Sequence, residues 1–313
     1  MSKPSDGITK WLTRLIGFLA VVTGLLPLLG WIGGGSFWLL DLCNHFQYQY
    51  AWFLLLCAIL LLRLQSRRMA MVAALLSLIP LSRVVPGYLP APAVAQGSTV
   101  VKIASFNVLA SNQKHARTIA WVKETLPDAI FFTEVSEEWT EALKALEGVY
   151  PHFINDGPDM AFFSKFPISS FEMHRVSKIE FRLLEARLAT PGGPLVFFAG
   201  HPLPPLTPDW AKALDDFMAA AEQEVSQEQG RVVLVGDFNA TRWSAKTKDL
   251  YKLGLQDASK GKAPGPTWSR GNPVLGIPID HILFRGEGMS CKSFLIGPDI
   301  GSDHRPVVAE LSW

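Results

Sequence analysis

The sequence predicts an α/β fold with a largely buried sheet, preceded by a helical region of different composition. From residue 98 onward, short apolar and β-branched segments alternate with polar-faced segments of helical length. The first 85 residues instead hold three long apolar stretches, and they account for most of the positive mean hydropathy of +0.20. We therefore expect a transmembrane helical region at 1–85, a proline-rich linker at 86–97 and an α/β domain at 98–313.

Three apolar stretches in the first region are candidate membrane spans. Residues 11–32 are long enough to cross a bilayer. Residues 48–64 and 69–85 are shorter, so buried or re-entrant hairpin helices are the alternative for these two. Residues 48–64 begin with several aromatic side chains, which is typical of a membrane interface. The sequence therefore predicts about three spans.

Loop charge orients these spans. The N-terminal segment carries three basic residues, and the first loop, at 33–47, carries none. The second loop has three arginines, Arg63, Arg67 and Arg68. Under the positive-inside rule the N-terminus and the second loop lie in the cytoplasm. We therefore expect a multi-pass protein of the inner (cell) membrane, with residues 98–313 on the periplasmic or extracellular side.

Charge and cysteine content limit what the α/β domain does. From residue 98 it has 22 Lys and Arg against 26 Asp and Glu, a net charge of −4. A protein that tracks a nucleic-acid backbone is usually basic, so this balance disfavours that class without excluding it. Cys291 is the domain's single cysteine, which excludes both an internal disulfide and a cysteine metal cluster.

The α/β domain is predicted as strands and helices in chain order. Strands are assigned to short apolar runs, and helices to polar-faced segments of 10 or more residues. A Pro-Gly-Gly-Pro turn at 191–194 joins two strands into a hairpin, and 165–168 is predicted to be a turn. The predicted strands are 100–105, 128–133, 160–164, 183–189, 195–199, 232–236, 282–284 and 307–311, and the predicted helices are 114–124, 137–146 and 210–227.

Most of these strands lie next to an acidic, amide or imidazole side chain. One such residue would be an ordinary turn at a strand end. Eight along one chain favour a single sheet edge that handles metal and phosphate groups. The strand at 232–236 is the strongest case, because Asp237 and Asn239 follow it directly. The full set is Asn107, Glu134, His201, Asp237, Asn239, Asp280, Asp303 and His304.

The sequence around these residues resembles the endonuclease/exonuclease/phosphatase superfamily, typified by pancreatic-type deoxyribonuclease. The shared motifs occur in family order and cover about residues 100–313. They are SFNV at 105–108, TEV at 133–135, AFFSKFPI at 161–168, GHP at 200–202, GDFNATRWS at 236–244, PTW at 266–268, IDHIL at 279–283 and SDHRPV at 302–307. The resemblance implies a four-layer sandwich of two β-sheets flanked by helices.

The resemblance also implies a role for each site residue. Glu134 is the principal Mg²⁺ ligand, with Asn107 beside it and Asp303 near the metal; Mn²⁺ is possible in place of Mg²⁺. An oxygen-rich ligand set suits these ions and not zinc. Asp237 positions or deprotonates the attacking water, and Asn239 holds a phosphate oxygen and fixes that carboxylate. His201 and His304 donate to the phosphoryl oxygens, and Asp280 orients His304.

Two further residues near the motifs have open roles. His281 adjoins Asp280, and strand alternation makes it face away from the site, so we expect it to be structural. Glu185 is a candidate carboxylate partner for His201 from a neighbouring strand. Substrate specificity in this superfamily lies in loops, and those at 155–159 and 240–247 are the candidates here.

Three functions fit the sequence. The first is a membrane-anchored, Mg²⁺-dependent phosphodiesterase or phosphatase that acts on a lipid headgroup or small phosphoester outside the cytoplasm. The second is the same chemistry on DNA or RNA. The third is a non-catalytic binding domain on this fold, which the completeness of the motif set disfavours. The acidic charge and the apolar front favour the first, and no protein partner can be inferred.

Overall fold

The computed structural model describes residues 6–90, 97–155, 159–176, 182–262, 265–270, 272 and 274–313. The chain forms two compact units. The first comprises residues 1–87 together with Trp243–Ala245, and the second comprises Tyr88–Arg242 and Lys246–Trp313. The predicted linker at 86–97 falls partly outside the described residues, as does the predicted specificity loop at 155–159.

The first unit is helical. All three predicted apolar stretches form helices, and a short helix lies between the first two. Two segments, Gly7–Gly33 and Arg67–Gly87, are long and apolar enough to cross a membrane, and only 28% of the apolar window of each is buried. The middle helix has 17 residues, about 26 Å, which is slightly short of the roughly 30 Å hydrocarbon core. The helices are α1 (Asp6–Gly33), α2 (Trp38–Leu42), α3 (Gln47–Arg63) and α4 (Arg67–Val84).

A buried polar cluster holds the tripeptide Trp243–Ala245 within this first unit. The Asp41 carboxylate accepts hydrogen bonds from Ser244 Oγ at 2.6 Å and from the Ala245 amide at 2.8 Å. Asn44 Nδ2 donates to the same carboxylate at 2.8 Å. The Trp243 indole donates to the carbonyl of Arg83 at 3.0 Å. Because three donors satisfy Asp41, this acidic side chain can be buried in an otherwise apolar unit.

The second unit contains two six-stranded sheets. The first sheet has the order β11-β12-β1-β2-β4-β3, and the second has the order β5-β6-β7-β8-β10-β9. Its strands are β1 (Val100–Asn107), β2 (Ala129–Val135), β3 (His152–Ile154), β4 (Asp159–Ser164), β5 (Ile168–Arg175), β6 (Arg182–Thr190), β7 (Gly193–Gly200), β8 (Arg231–Asp237), β9 (Gln256–Asp257), β10 (Asp280–Arg285), β11 (Ser290–Ile296) and β12 (Val307–Ser312). Its helices are α5 (His115–Thr125), α6 (Glu137–Leu143), α7 (Pro208–Gln227) and α8 (Lys248–Lys252).

The predicted four-layer sandwich is confirmed. Alternate residues of the central strands point to opposite faces, so each sheet has two apolar faces to bury. One core lies between the sheets, where Phe131 and Phe162 pack in the same cluster as Phe197 and Val233. A second core forms under α5 and α6, and a third under α7. Two sheets enclosed between outer helices therefore bring the strand ends of both sheets close to each other.

The sequence predicted the central strands and missed the edge strands. All eight predicted strands are present, as is the hairpin between β6 and β7. The prediction of a turn at 165–168 was wrong at its end, because β5 begins at Ile168. The strands without a prediction are β3, β5, β9 and β11, which are the four edges of the two sheets. In β5 the side chains are exposed or half-buried throughout, so no apolar pattern marked it.

Candidate active site

The candidate site forms where strand ends of the two sheets meet. In the first sheet, β1 and β2 are parallel, so Asn107 and Glu134 emerge at the same edge. In the second sheet, β7 and β8 are parallel, and β8 pairs antiparallel with β10 so that Asp237 faces Asp280. A hydrogen bond of 3.0 Å from Asn107 Nδ2 to Asp237 Oδ2 joins the two sets. The strand register thus builds one site from two sheets.

Glu134 is displaced from the regular strand. The pairing of β2 with β4 shifts between Thr133 and Val135, so Glu134 is the extra residue of a β-bulge, and its φ is +54°. Asn107 Nδ2 donates to Glu134 Oε1 at 2.7 Å, and Asn107 Oδ1 accepts from the Leu109 amide at 3.0 Å. The bulge therefore turns a half-buried carboxylate toward a fixed amide side chain.

Asp237 is the buried centre of the site. Its carboxylate lies 3.4 Å from His304 Nε2 and 3.5 Å from His201 Nε2, and it accepts a hydrogen bond from the Asn239 amide at 2.9 Å. Burial alone would raise the pKa of Asp237, but the charges of His304 and His201 and their hydrogen bonding lower it below its usual range. The Asp237 carboxylate therefore stays ionised between two imidazoles.

Glycine makes the close approach of β7 and β8 possible. Gly236, which precedes Asp237, has a φ of +146°, and a Cβ atom there would overlap the carbonyl oxygen of Gly200. Gly200 precedes His201, and a Cβ atom at that position would overlap the ring of Phe217. Gly236 is thus required for β7 and β8 to approach closely enough that His201 and Asp237 lie side by side, and Gly200 leaves room for the Phe217 ring.

His304 forms a tight pair with Asp280. The distance from His304 Nδ1 to Asp280 Oδ2 is 2.9 Å, and both side chains are buried. Burial lowers the pKa of the imidazole, but the charges of Asp280 and Asp237 outweigh it and raise the pKa of His304 to about 9. Ser302 fixes the backbone here, because its Oγ donates to the carbonyl of Asn107 at 2.7 Å and accepts from the His304 amide at 3.0 Å.

His201 has a looser carboxylate partner. Its Nδ1 lies 3.6 Å from Asp159 Oδ1, and Asn239 Nδ2 lies 3.4 Å from its Nε2. Asn239 also donates to the carbonyl of Pro202 at 2.9 Å. Burial opposes protonation, but hydrogen bonding to Asp159 and Asp237 and their charges raise the pKa of His201 to about 10. Both imidazoles are therefore protonated at neutral pH in this geometry.

The arrangement matches a known family. The sequence profile of the Endonuclease/Exonuclease/phosphatase family matches residues 104–304, about two-thirds of the chain and every predicted site residue. The chain belongs to the endonuclease/exonuclease/phosphatase family. Its members are hydrolases that act on phosphoester bonds and generally use a divalent metal. The family predicted from the sequence motifs is thus confirmed.

Two curated relatives match part of the chain. Two curated proteins called UPF0294 protein match over 95 residues, at 25% identity in Vibrio campbellii and 27% in Vibrio parahaemolyticus. These matches span 30% of this chain and 32% of each relative.

Solved structures cover more of the chain. Humanized D. rerio TDP2 superposes with a TM-score of 0.59 at 18% identity, over 69% of this chain and 100% of that one. The endonuclease/exonuclease/phosphatase from Beutenbergia cavernae gives 0.58 at 16% identity, over 68% and 71%. These likenesses establish the fold.

A divalent cation fits the donor set of this family member. Glu134 Oε1 and Asp237 Oδ2 both accept a hydrogen bond from Asn107 Nδ2. The two carboxylates therefore lie close together around a neutral amide, which does not balance their charge. Ligand atoms of Asp237, Asp280 and His304 also lie within 4.8 Å of one another. The carboxylate oxygens suit a hard divalent ion. The His304 imidazole, protonated at neutral pH, has no free nitrogen lone pair to offer a metal.

Seven of the eight predicted residues are joined by direct contacts. They are Asn107, Glu134, His201, Asp237, Asn239, Asp280 and His304. Asp303 is bonded elsewhere, because its Oδ2 accepts a hydrogen bond from the Trp268 indole at 2.9 Å. Its charge still contributes to the raised pKa of His304. The role of Asp303 as a metal ligand stays a prediction.

The sequence missed the carboxylate beside His201. Glu185 does not take that place, because it bonds His174 at 3.0 Å and Arg187 at 2.8 Å. Asp159, at the start of β4 in the other sheet, lies next to His201 instead. Its φ of +92° is rare for a residue with a side chain, and no motif marks the position. The only sequence feature at Asp159 is its position just before a buried strand. That position does not predict a contact with a residue 42 positions away.

Proposed function

We propose that this protein is a membrane-anchored, Mg²⁺-dependent phosphoesterase that hydrolyses a lipid headgroup or small phosphoester outside the cytoplasm. The observation that carries the chemistry is Asp237, an ionised carboxylate fixed between two protonated imidazoles and beside the pair of Glu134 and Asn107. Such a centre combines a base with preorganised positive charge, which in-line displacement at phosphorus requires.

Each site residue has its own role in the proposed reaction. Asp237 positions the attacking water or takes up its proton as the bond to phosphorus forms. His201 and His304 donate hydrogen bonds to the phosphoryl oxygens that gain negative charge, and Asn239 holds one of these oxygens. Asp280 keeps His304 protonated and oriented, and Asp159 does the same for His201. Because both imidazoles are charged before substrate arrives, little reorganisation is needed in the transition state.

Glu134 and Asn107 would hold the Mg²⁺ ion, with Asp303 near it. The ion supplies Lewis-acid stabilisation of the phosphoryl group and of the leaving oxygen. Glu134 is the principal ligand in this assignment because it is the half-buried carboxylate at the open end of the cluster, whereas Asp237 and Asp280 are held by imidazoles.

The apolar helices support the membrane anchor. In α1 and α4 about seven-tenths of the apolar window is not covered by protein, and exposed residues include Phe18, Trp31, Met71 and Leu78. Apolar faces of this size are stable in lipid and not in water. The absence of basic residues at 33–47 and the three arginines at 63–68 favour an outward-facing hydrolase domain.

Substrate choice rests on charge and on this anchor. The net charge of −4 over residues 98–313 favours a small or lipid phosphoester over a long polyanion. A nuclease is the second candidate, because one similar structure is D. rerio TDP2 complexed with a single-strand DNA product. The third candidate, a binding domain without activity, is disfavoured because seven of the eight predicted site residues are joined by direct contacts.

The decisive experiment assays the purified full-length protein in lipid nanodiscs against a phospholipid, a small phosphodiester, a phosphomonoester and single-stranded DNA. The protein is stripped with EDTA and then supplied with Mg²⁺, Mn²⁺, Ca²⁺ or Zn²⁺. We expect hydrolysis of the lipid or small ester with Mg²⁺ or Mn²⁺ only. Glu134→Gln is the matched control and should lose this activity while keeping its unfolding temperature. Preference for DNA would favour the nuclease, and inactivity on every substrate would contradict the proposal.

Topology is tested separately. A reporter that is active only outside the cytoplasm, fused after Trp313, should be active in intact cells. Protease added to spheroplasts should degrade the domain at 98–313. A domain that is protected in spheroplasts and cut only after lysis would reverse the proposed orientation.

A further inference from the structure

A second buried cluster of charged residues lies on the face of β10 opposite to Asp280. His281 follows Asp280 in the strand, so its side chain points to the other face. Its ring stacks on Phe238 with a centroid distance of 5.3 Å and an interplanar angle of 13°, and it is almost fully buried. This agrees with the expectation that His281 faces away from the site. His281 is nevertheless linked to the site, because it contacts the backbone next to Asn239.

His281 holds a specific carbonyl group. Its Nε2 lies 2.8 Å from the carbonyl oxygen of Ala240. A carbonyl oxygen only accepts, so Nε2 carries the hydrogen and donates it. Ala240 directly follows Asn239, whose φ of +48° is left-handed. The imidazole therefore fixes the end of the turn that presents both Asp237 and Asn239.

Two charged side chains keep the imidazole in place. His281 Nδ1 lies 3.9 Å from Asp257 Oδ2, and the same oxygen is 2.7 Å from Arg242 NH2. Ser259 donates to the other oxygen of Asp257 through its amide at 2.8 Å and its hydroxyl at 2.6 Å. Burial would raise the pKa of Asp257, but the charge of Arg242 above all lowers it, so the carboxylate stays ionised. A fixed anion thus faces the imidazole nitrogen that does not bond Ala240.

The turn is restrained at several points along six residues. The Phe238 amide donates to the carbonyl of Ile279 at 2.9 Å, and the Asn239 amide donates to Asp237 at 2.9 Å. The Ala240 carbonyl accepts a hydrogen bond from His281, and Arg242, at the end of the segment, forms an ion pair with Asp257. Without the bond to Ala240, nothing else in this set restrains the carbonyl after Asn239. The side-chain amide of Asn239, which contacts His201 and Pro202, would then stand on a less restrained turn.

We propose that His281 is a positioning residue, stacked on Phe238 and facing the ion pair of Asp257 with Arg242, whose hydrogen bond to Ala240 fixes the turn that carries Asp237 and Asn239. The inference rests on the proposed function, because these two residues are assigned there to the water and to a phosphoryl oxygen. A misplacement of about 1 Å at such a site costs on the order of 10²-fold in rate. The energetic effect of His281 therefore appears in the chemical step.

The test compares two substitutions of similar size. His281→Gln can place an amide N–H near the position of Nε2, whereas His281→Met fills the space without a donor. We expect His281→Met to lower kcat about 10- to 100-fold with KM nearly unchanged. His281→Gln should restore kcat to within about 3-fold of wild type while its unfolding temperature falls as much as that of the Met variant.

A matched control uses another histidine paired with a carboxylate. His174 bonds Glu185 at 3.0 Å and is in no contact with the site residues. His174→Met should leave kcat unchanged. A merely structural His281 would give kcat values that follow the folded fraction, with Met equal to or better than Gln. That result would overturn the positioning role.

A readout without activity separates this inference from the proposed function. The side-chain amide resonances of Asn239 in the NMR spectrum should shift in His281→Met and return in His281→Gln. Unchanged resonances in both variants would refute the positioning role, even if the protein hydrolysed no substrate at all. Conversely, a wild-type protein that is inactive on every substrate, with the expected NMR shifts, would contradict only the phosphoesterase assignment.

Discussion

The two imidazole–carboxylate pairs beside Asp237 differ in how firmly they are held. The pair of His304 and Asp280 is buried on both sides and spans 2.9 Å. The pair of His201 and Asp159 spans 3.6 Å, and the Asp159 side chain is 44% exposed. A buried, short pair fixes one geometry, whereas a longer and more hydrated pair interacts more weakly. His304 thus lies on the buried, rigid side of the centre, and His201 lies on its more exposed, open side.

The largest expected effect comes from the carboxylate that both imidazoles share. Asp237→Asn removes the proposed base and the negative charge between His201 and His304. We expect kcat and kcat/KM to fall together by about 10³-fold, with KM little changed, because the loss is in the transition state. Steady-state kinetics with saturating Mg²⁺ measures this. A defect that lies wholly in KM would mean that Asp237 binds substrate and that another group acts as base.

Replacing each imidazole separately should show that the rigid side matters more. His304→Ala should lower kcat on the order of 10²–10³-fold, since it removes a preorganised donor. His201→Ala should cost less, about 10- to 100-fold, because water can enter the more open side and replace part of the hydrogen bonding. The two variants are compared at the same Mg²⁺ concentration. Equal losses would show that the difference in burial has no catalytic consequence.

Replacing the carboxylate partners of the imidazoles should lower kcat less than replacing the imidazoles themselves. The loss should again be larger on the His304 side. Asp280→Asn is expected to lower kcat about 10-fold, and Asp159→Asn only about 2- to 3-fold, because an exposed ion pair contributes little. Since Asp280 acts through His304, the double variant with His304→Ala should be no worse than His304→Ala alone. Additive losses in that double-mutant cycle would show that Asp280 acts directly on substrate.

The smallest expected effect is on stability. The folded-state pKa of His304 is about 9 and that of His201 about 10, both above the unfolded value of about 6.5. Groups of this kind contribute stability that is complete below pH 6.5 and is lost as the pH rises through 9 to 10. The unfolding temperature of the metal-free protein should therefore fall over this range. His304→Ala should show a weaker fall, and NMR titration should find both imidazoles protonated at pH 7.5.

The same contrast explains what the sequence could predict. His304 and Asp280 each sit in a recognisable motif next to a buried strand, so both were found. Asp159 lies outside any motif, and its contact with His201 joins the edge region of one sheet to the other sheet. Pairings of this kind arise from how the two sheets pack, which local residue patterns do not encode. The edge strands β5 and β11 were missed for a related reason. The residues of β5 are exposed or half-buried and those of β11 are mostly half-buried, so neither strand shows the alternation of a buried strand.

The paired glycines at the ends of β7 and β8 have a consequence for how this enzyme family can diversify. Gly236 sets the gap between His201 and Asp237 by having no side chain, because any larger residue there would meet the backbone carbonyl of Gly200 on the neighbouring strand. Even the smallest side chain at position 236 would clash, so substitutions there cannot change this distance gradually. The distance from Asp237 to the His201 imidazole is therefore fixed by the backbone in this protein. New substrates must be accommodated by changes in the surrounding loops, and the chemical step stays the same.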